Sequence, residues 1–107
     1  MQSSRNLKDI TASAIIEAVG EYYGVSVMDI KSQKRYPKET VLSRQVAMYL
    51  IRDILSQPFS DIGAQFGGRH HTTVLHSLKV IEDELKTNAL LRRAVDDLLR
   101  IITETRT

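Results

Sequence analysis

The sequence predicts an all-α fold: a compact bundle of about six helices that contains a helix-turn-helix. Three observations predict it. Apolar residues recur with a period near 3.6 through most of the chain, which gathers them on one face of each helix. No segment alternates apolar and polar residues as a half-buried strand does. Gly67-Gly68, the strongest breaker in the chain, separates a short helical segment from a longer one.

The size and composition suit a single domain with a real core: 107 residues, 42% of them hydrophobic. The absence of cysteine excludes a disulfide framework and a thiolate zinc site, and fits a reducing cytosol. No apolar run approaches the roughly 20 residues of a membrane helix, and the N-terminus has no apolar core of a signal peptide. Residues 1–9 read as a frayed linker or a cloning scar, and 10–107 as the domain. Net charge is only +2, but it is unevenly placed. Residues 31–79 hold eight bases and three acids (+5), residues 1–30 two bases and four acids (−2), and residues 80–107 five bases and six acids (−1). A one-sided basic field draws polyanions, and its other reading is a solvated face.

The first helix runs from Thr11, its N-cap, to Tyr23, with Gly24 closing it at C′ and Ile15, Ile16, Val19, Tyr22 and Tyr23 as its stripe. Gly20 inside it costs about 1 kcal/mol against alanine, so it marks a close helix contact. Ser26 caps a single turn through Ile30, with Val25 and Met28 or Ile30 packing inward. Ser32 to Glu39 follows as a basic loop. Pro37 forbids a continuous helix there and biases Tyr36 toward an extended conformation.

The third helix begins at Val41 or Leu42, runs to Leu55 and is the central one. Val46, Leu50 and Ile54 face inward, and Arg44, Gln45 and Arg52 lie largely off that stripe. Ser60 caps a short helix from Asp61 to Phe66, with its acid in the first turn as the macrodipole prefers. After the glycines a helix runs from His70 or His71 to Lys86. Its Val74, Leu78, Ile81 and Leu85 share one face, while His71, Thr72 and Lys79 stay polar. A last helix starts near Asn88 or Ala89 and carries Leu90, Leu91, Val95, Leu98, Leu99 and Ile102.

In a helix-turn-helix the second helix enters the major groove and its N-terminal residues reach base edges. The residues that suit this are short or rigid, polar and free of acid clusters, as His70, His71, Thr72 and Thr73 are. A threonine methyl packs on a thymine methyl while its hydroxyl meets an edge or a phosphate. A basic loop beside such a helix places an arginine in a minor groove.

Three rival readings fail on residue chemistry. Gly63 to His70 nearly spells a phosphate loop, but Arg69 replaces its lysine, His70 replaces its magnesium-binding hydroxyl, and a helix leads in where a strand should. His70, His71 and His76 do not share a metal-binding face and no carboxylate completes a set, so no metal is expected. No serine, cysteine or acid is patterned beside a histidine for catalysis, so no enzyme activity is expected.

The run Ile62-Gly63-Ala64-Gln65-Phe66-Gly67-Gly68-Arg69-His70-His71-Thr72-Thr73-Val74-Leu75-His76 closely resembles the signature of the bacterial replication initiator DnaA. Lys34-Arg35 and Ser43-Arg44-Gln45-Val46-Ala47-Met48-Tyr49-Leu50 resemble the segment before it. The resemblance extends from about Ile10 to about Ile102 and is to the C-terminal domain of that family. It implies a Trp-repressor-like helical fold that binds DnaA boxes similar to TTATCCACA at the replication origin. It further implies a cytoplasmic, nucleoid-associated protein, with no cofactor in this domain.

By the same resemblance Arg35 enters the minor groove of the A·T-rich half of the box. His70, His71 and Thr72 read bases in the major groove. Thr73 lies close to phosphate. Arg44, Gln45 and Arg52 clamp the backbone, together with Lys79, and Ser60 and Asp61 open a helix whose N-terminus faces phosphate. A short asymmetric box calls for a monomer. The family's ATPase domain, which binds ATP and drives oligomerisation, is not in these residues. The chain therefore reads as a domain excised from a longer initiator, with a stand-alone paralogue as the other reading.

Two departures stand out. His70 occupies a position where the family usually has aspartate, which puts the readout of one base in question. The loop from Arg35 to Arg44 is one residue longer than usual, with Ser43 in place of a frequent proline, and makes Tyr36 the fallback contact. The competing class is a helical protein-interaction module that docks an acidic partner on the basic region.

Overall fold

In the computed structural model, residues 10–104 are described and fold into six helices, with no strand among them. They are α1 (Ala12–Tyr23), α2 (Val27–Ile30), α3 (Lys38–Leu55), α4 (Phe59–Ala64), α5 (His71–Leu85) and α6 (Ala89–Glu104). The all-α expectation and its six segments hold. The expectation for residues 1–9 lies outside the described residues.

The core forms where the 3.6-residue stripes meet. Ile15, Ile16 and Val19 of α1 pack with Val46, Leu50 and Ile51 of α3, and α3 in turn carries Val74, Leu78 and Ile81 of α5. Helix α3 touches α1, α2, α4 and α5 and is the central helix, as its broad apolar surface predicts. Phe66 is fully buried in the same cluster. Helix α6 packs across α1 and α5 with Leu91, Val95, Leu98 and Ile102, whereas Leu90 is 84% exposed. On the outside of that contact the Tyr22 hydroxyl donates to Asp97 Oδ2 at 3.1 Å.

The helix ends follow local chemistry. Thr11 accepts from the Ala14 amide and Gly24 takes a left-handed φ of 69°, so both caps of α1 are as expected. Ser26 caps α2 through the Asp29 amide; Ile30 is its buried residue, and Met28 points out. Asn88 Oδ1 caps α6 through the Leu91 amide. Gly20 does mark a close approach, but to the chain that follows α1. A Cβ there would stand 2.6 Å from the Val25 carbonyl oxygen.

Two starts differ from expectation. Helix α3 opens at Lys38, immediately after Pro37, rather than at Val41. A proline bars a helix that runs through it, yet its fixed φ lets one begin right behind it. Helix α4 opens at Phe59 with Pro58 at the N-cap, so Ser60 lies inside the first turn and caps nothing.

Candidate nucleic-acid interface

Helices α4 and α5 pack against each other, and their connection is built around glycine. Gly67 and Gly68 have φ of 76° and 74°, a left-handed pair that side chains resist. Gly63 does a different job. The Arg69 amide donates to the Gly63 carbonyl at 2.9 Å, and a Cβ on Gly63 would stand 2.1 Å from the Arg69 carbonyl oxygen. The chain leaving the turn lies directly against the backbone of α4, which fixes where α5 begins.

Helix α5 is anchored by its apolar face: Val74 and Ile81 are fully buried, and Leu78 and Leu85 nearly so. Each such burial stabilises by about 1.5–3 kcal/mol. The opposite face is open. His71 and Thr72 in the first turn are exposed, as are His76 and Lys79, which follow Thr72 at helical spacing, while Thr73 is half-buried. His70 is the N-cap, with backbone outside the helix and Nδ1 accepting from the Thr72 amide at 3.2 Å. Its ring lies beside that of His71, with centroids 4.2 Å apart.

The basic loop from Ser32 to Pro37 has no regular structure, and three side chains hold it. Arg44, on α3, donates from Nε to the Ile30 carbonyl, from one terminal nitrogen to that of Lys34 and from the other to that of Asp29, at 2.7, 2.9 and 3.0 Å. Arg69, in the turn, donates to the Ser32 carbonyl at 2.8 Å. Gln33 donates from its side-chain amide to the Gly67 carbonyl at 3.1 Å. The loop is thus stitched to the central helix on one side and to the α4–α5 turn on the other. Lys34 pairs with Asp29 at 2.9 Å. Arg35 and Tyr36 are exposed, and Arg35 lines a cleft with Arg69 of the turn.

This corrects the placement of Arg44. Expected off the buried stripe as a phosphate clamp, it is only 4% exposed, and it spends its hydrogen bonds on backbone carbonyls. Long polar side chains at such a position are invisible to hydrophobic periodicity, which counts apolar residues only. Burial holds the Arg44 guanidinium below the usual arginine pKa, with Arg69 adding to the effect and Asp29 opposing it. Arg69 is lowered in the same way, by burial first and then by Arg35. Arg35, Arg44 and Arg69 thus form a cationic group around one cleft, lined also by Gln33, Lys34 and Val41.

The other sequence-predicted positions fall around this centre. Arg52 is exposed at the end of α3; it donates to the Gln57 carbonyl at 2.7 Å and its guanidinium lies 4.7 Å over the Phe59 ring. Ser60 and Asp61 are exposed in the first turn of α4, and Gln45 is half-buried on α3. Sequence reasoning missed Gln33 and Gly63 as positioning residues, and it saw Arg69 as part of the basic field and the family signature but not as an anchor of the loop. The Gln33–Gly67 and Arg69–Ser32 contacts span 34 and 37 residues, beyond any local pattern. Among the described residues no cluster of three histidines or acids could hold a metal, and no helix is long and apolar enough to cross a membrane.

Known proteins resemble this chain in sequence and in fold. The family model described as the bacterial DnaA protein helix-turn-helix matches residues 12–81. The chromosomal replication initiator protein DnaA of Pelobacter propionicus is 42% identical over 95 residues, covering 89% of this chain and 21% of that protein. The DnaA protein of Lactococcus lactis subsp. cremoris is 38% identical over 98 residues, covering 92% of this chain and 21% of that protein. The crystal structure of a DNA replication initiation factor superposes with a TM-score of 0.79 at 33% identity, covering 97% of this chain and 30% of that one. The chain thus spans about a fifth of the length of these curated relatives. With a family model across its core and relatives along nearly all its length, the chain belongs to the bacterial DnaA helix-turn-helix family.

Proposed function

We propose that the domain binds double-stranded DNA sequence-specifically, at boxes similar to TTATCCACA, as the DNA-reading part of a replication initiator. One observation carries this reading. The polar N-terminal turn of α5 and the basic loop bearing Arg35 are exposed side by side and tied together through Gln33–Gly67 and Arg69–Ser32. A protrusion of helix width with an arginine loop at its flank suits a major groove and the minor groove beside it.

In this reading His71 and Thr72 meet base edges, and Arg35, with Tyr36 beside it, meets the A·T-rich minor groove. Arg52, Lys79, Gln45, Thr73 and the first turn of α4 with Ser60 and Asp61 lie against phosphates and set register. Arg44 acts indirectly by holding the loop. The domain acts as a monomer on an asymmetric box, performs no chemistry on the DNA and needs no cofactor; ATP binding and assembly belong to other parts of an initiator. Its place of work is the cytoplasm, at the nucleoid.

The test is a gel shift with a TTATCCACA duplex against a scrambled duplex of equal length at moderate salt. Preference for the box supports the reading. Equal binding to both duplexes, with retention on an acidic polypeptide, would instead establish the basic surface as a protein-docking module.

A further inference from the structure

The N-cap of α5 has a consequence for which base the domain selects; this rests on the DNA-reading function proposed above. A histidine at an N-cap can accept from a backbone amide only through a ring nitrogen that carries no proton. Here that nitrogen is Nδ1, 3.2 Å from the Thr72 amide and 2.8 Å from the Thr72 hydroxyl oxygen. The opposite tautomer would let Nδ1–H donate to the hydroxyl, but would leave the Thr72 N–H facing another N–H. The arrangement that leaves no donor facing a donor has the Thr72 amide donating to the single lone pair of Nδ1, with the exposed Thr72 hydroxyl sharing it or turning to solvent. The ring proton then sits on Nε2. His70 is exposed, and Nε2 has no hydrogen-bond partner among the described residues. The cap therefore fixes what the ring shows to a ligand: one outward N–H donor at the tip of the recognition helix.

We propose that His70 is a specificity-determining residue through which the domain selects a base presenting an acceptor in the major groove. The bases that qualify are a purine at N7, guanine also at O6, and thymine at O4. Cytosine offers a donor, its N4 amino group, and is disfavoured opposite a fixed N–H. Aspartate makes the opposite choice with the same cap. One of its oxygens accepts from the amide while the other presents an acceptor that suits the cytosine amino group. Asparagine caps through its oxygen and keeps a donor in its amide nitrogen. The position thus separates two roles that one side chain performs: closing the helix, which all three residues do, and choosing the base, in which aspartate differs.

Two measurements test this. Long-range proton–nitrogen correlation spectra of the free domain read the tautomer without DNA; an Nε2–H ring at His70 is expected, and an Nδ1–H ring overturns the proposal. The second measurement is equilibrium binding to duplexes in which each base of TTATCCACA is varied singly, for the unaltered chain, His70→Asp and His70→Asn. At one position His70→Asp is expected to move the preference to cytosine by roughly fivefold or more. The unaltered chain and His70→Asn should both favour an acceptor-bearing base there, with the other positions unchanged. The same base profile for the unaltered chain and His70→Asp overturns it. If the unaltered chain does not distinguish TTATCCACA from a scrambled duplex, the DNA-box function itself fails, and base selection by His70 fails with it.

Discussion

The start of α5 and the Ser32–Pro37 loop are both exposed and linked through the α4–α5 turn, but they are built in opposite ways. The first turn of α5 stands on a helix whose apolar face is sunk in the core; its N-cap is local, reaching two residues ahead. The loop buries no apolar side chain of its own and is held by side chains from α3, from the turn and from Gln33. Helix α5 is therefore positioned by packing and the arginine loop by hydrogen bonds. Packing is non-directional and tolerant of exchange among apolar residues, whereas hydrogen bonds to backbone carbonyls fail with one side chain.

The largest expected effect lies where the two regions meet. Gly63→Ala sets a Cβ against the Arg69 carbonyl, so the turn must shift. A loss of about 3 kcal/mol in urea unfolding is expected, together with loss of box binding. Unchanged stability would mean that the turn is loose and does not set the helix. Next, Arg44→Met keeps the bulk but removes three donors from loop carbonyls. A cost of about 2 kcal/mol is expected, and hydrogen exchange should quicken at residues 30–36 but not in α5. Equal quickening in α5 would erase the contrast between the two regions.

The third contrast is in binding. His71→Ala should cost about 1–3 kcal/mol on the intact box and relax base preference at one or two positions. Arg35→Ala should weaken binding chiefly when the A·T-rich half is intact, which base-substituted duplexes would reveal. A uniform loss on random DNA from either change would place that residue on phosphate. The fourth, smaller effect is on the cap: His70→Ala should lower stability by about 1 kcal/mol, measured by thermal unfolding. The four apolar anchors of α5 outweigh that, so the helix itself should persist.

The smallest effect is expected far from this surface, at Asp97. The hydrogen bond from Arg100 holds its carboxyl below the usual aspartate range, with Tyr22, Arg93 and Arg100 charge adding to the effect against burial. A carboxyl with a lowered folded pKa contributes stability above its unfolded value, near 3.9, and loses it as pH falls through the folded one. Tyr22→Phe should therefore make acid unfolding slightly less steep below about pH 4, without touching DNA binding. Any change in box affinity would show that α1 and α6 communicate with the interface.

Much of this molecule is legible in the residues alone. The helical stripes, the caps at Thr11, Ser26 and Gly24, the glycine pair and the polar first turn of α5 depend only on neighbours within a few residues. The family followed from the run Ile62–His76 for the same reason, since it is contiguous. The misplacements have a common cause. The apolar period sets Arg44 off the buried stripe and the family resemblance sets it on phosphate, yet a guanidinium with carbonyls around it is stably buried. Serine's preference for the N-cap points to Ser60, while the backbone at Pro58 opens α4 one residue before it, at Phe59.

Local chemistry decided the six helices of the described residues, where the turn before α5 lies and which side chains it offers. Only the folded chain decided how that turn is oriented, which arginine is exposed and which is structural, and which ring nitrogen of His70 meets the Thr72 amide. Those outcomes depend on contacts between residues distant in sequence, or on which ring nitrogen a backbone amide happens to meet. Periodicity and residue preference carry no information about either.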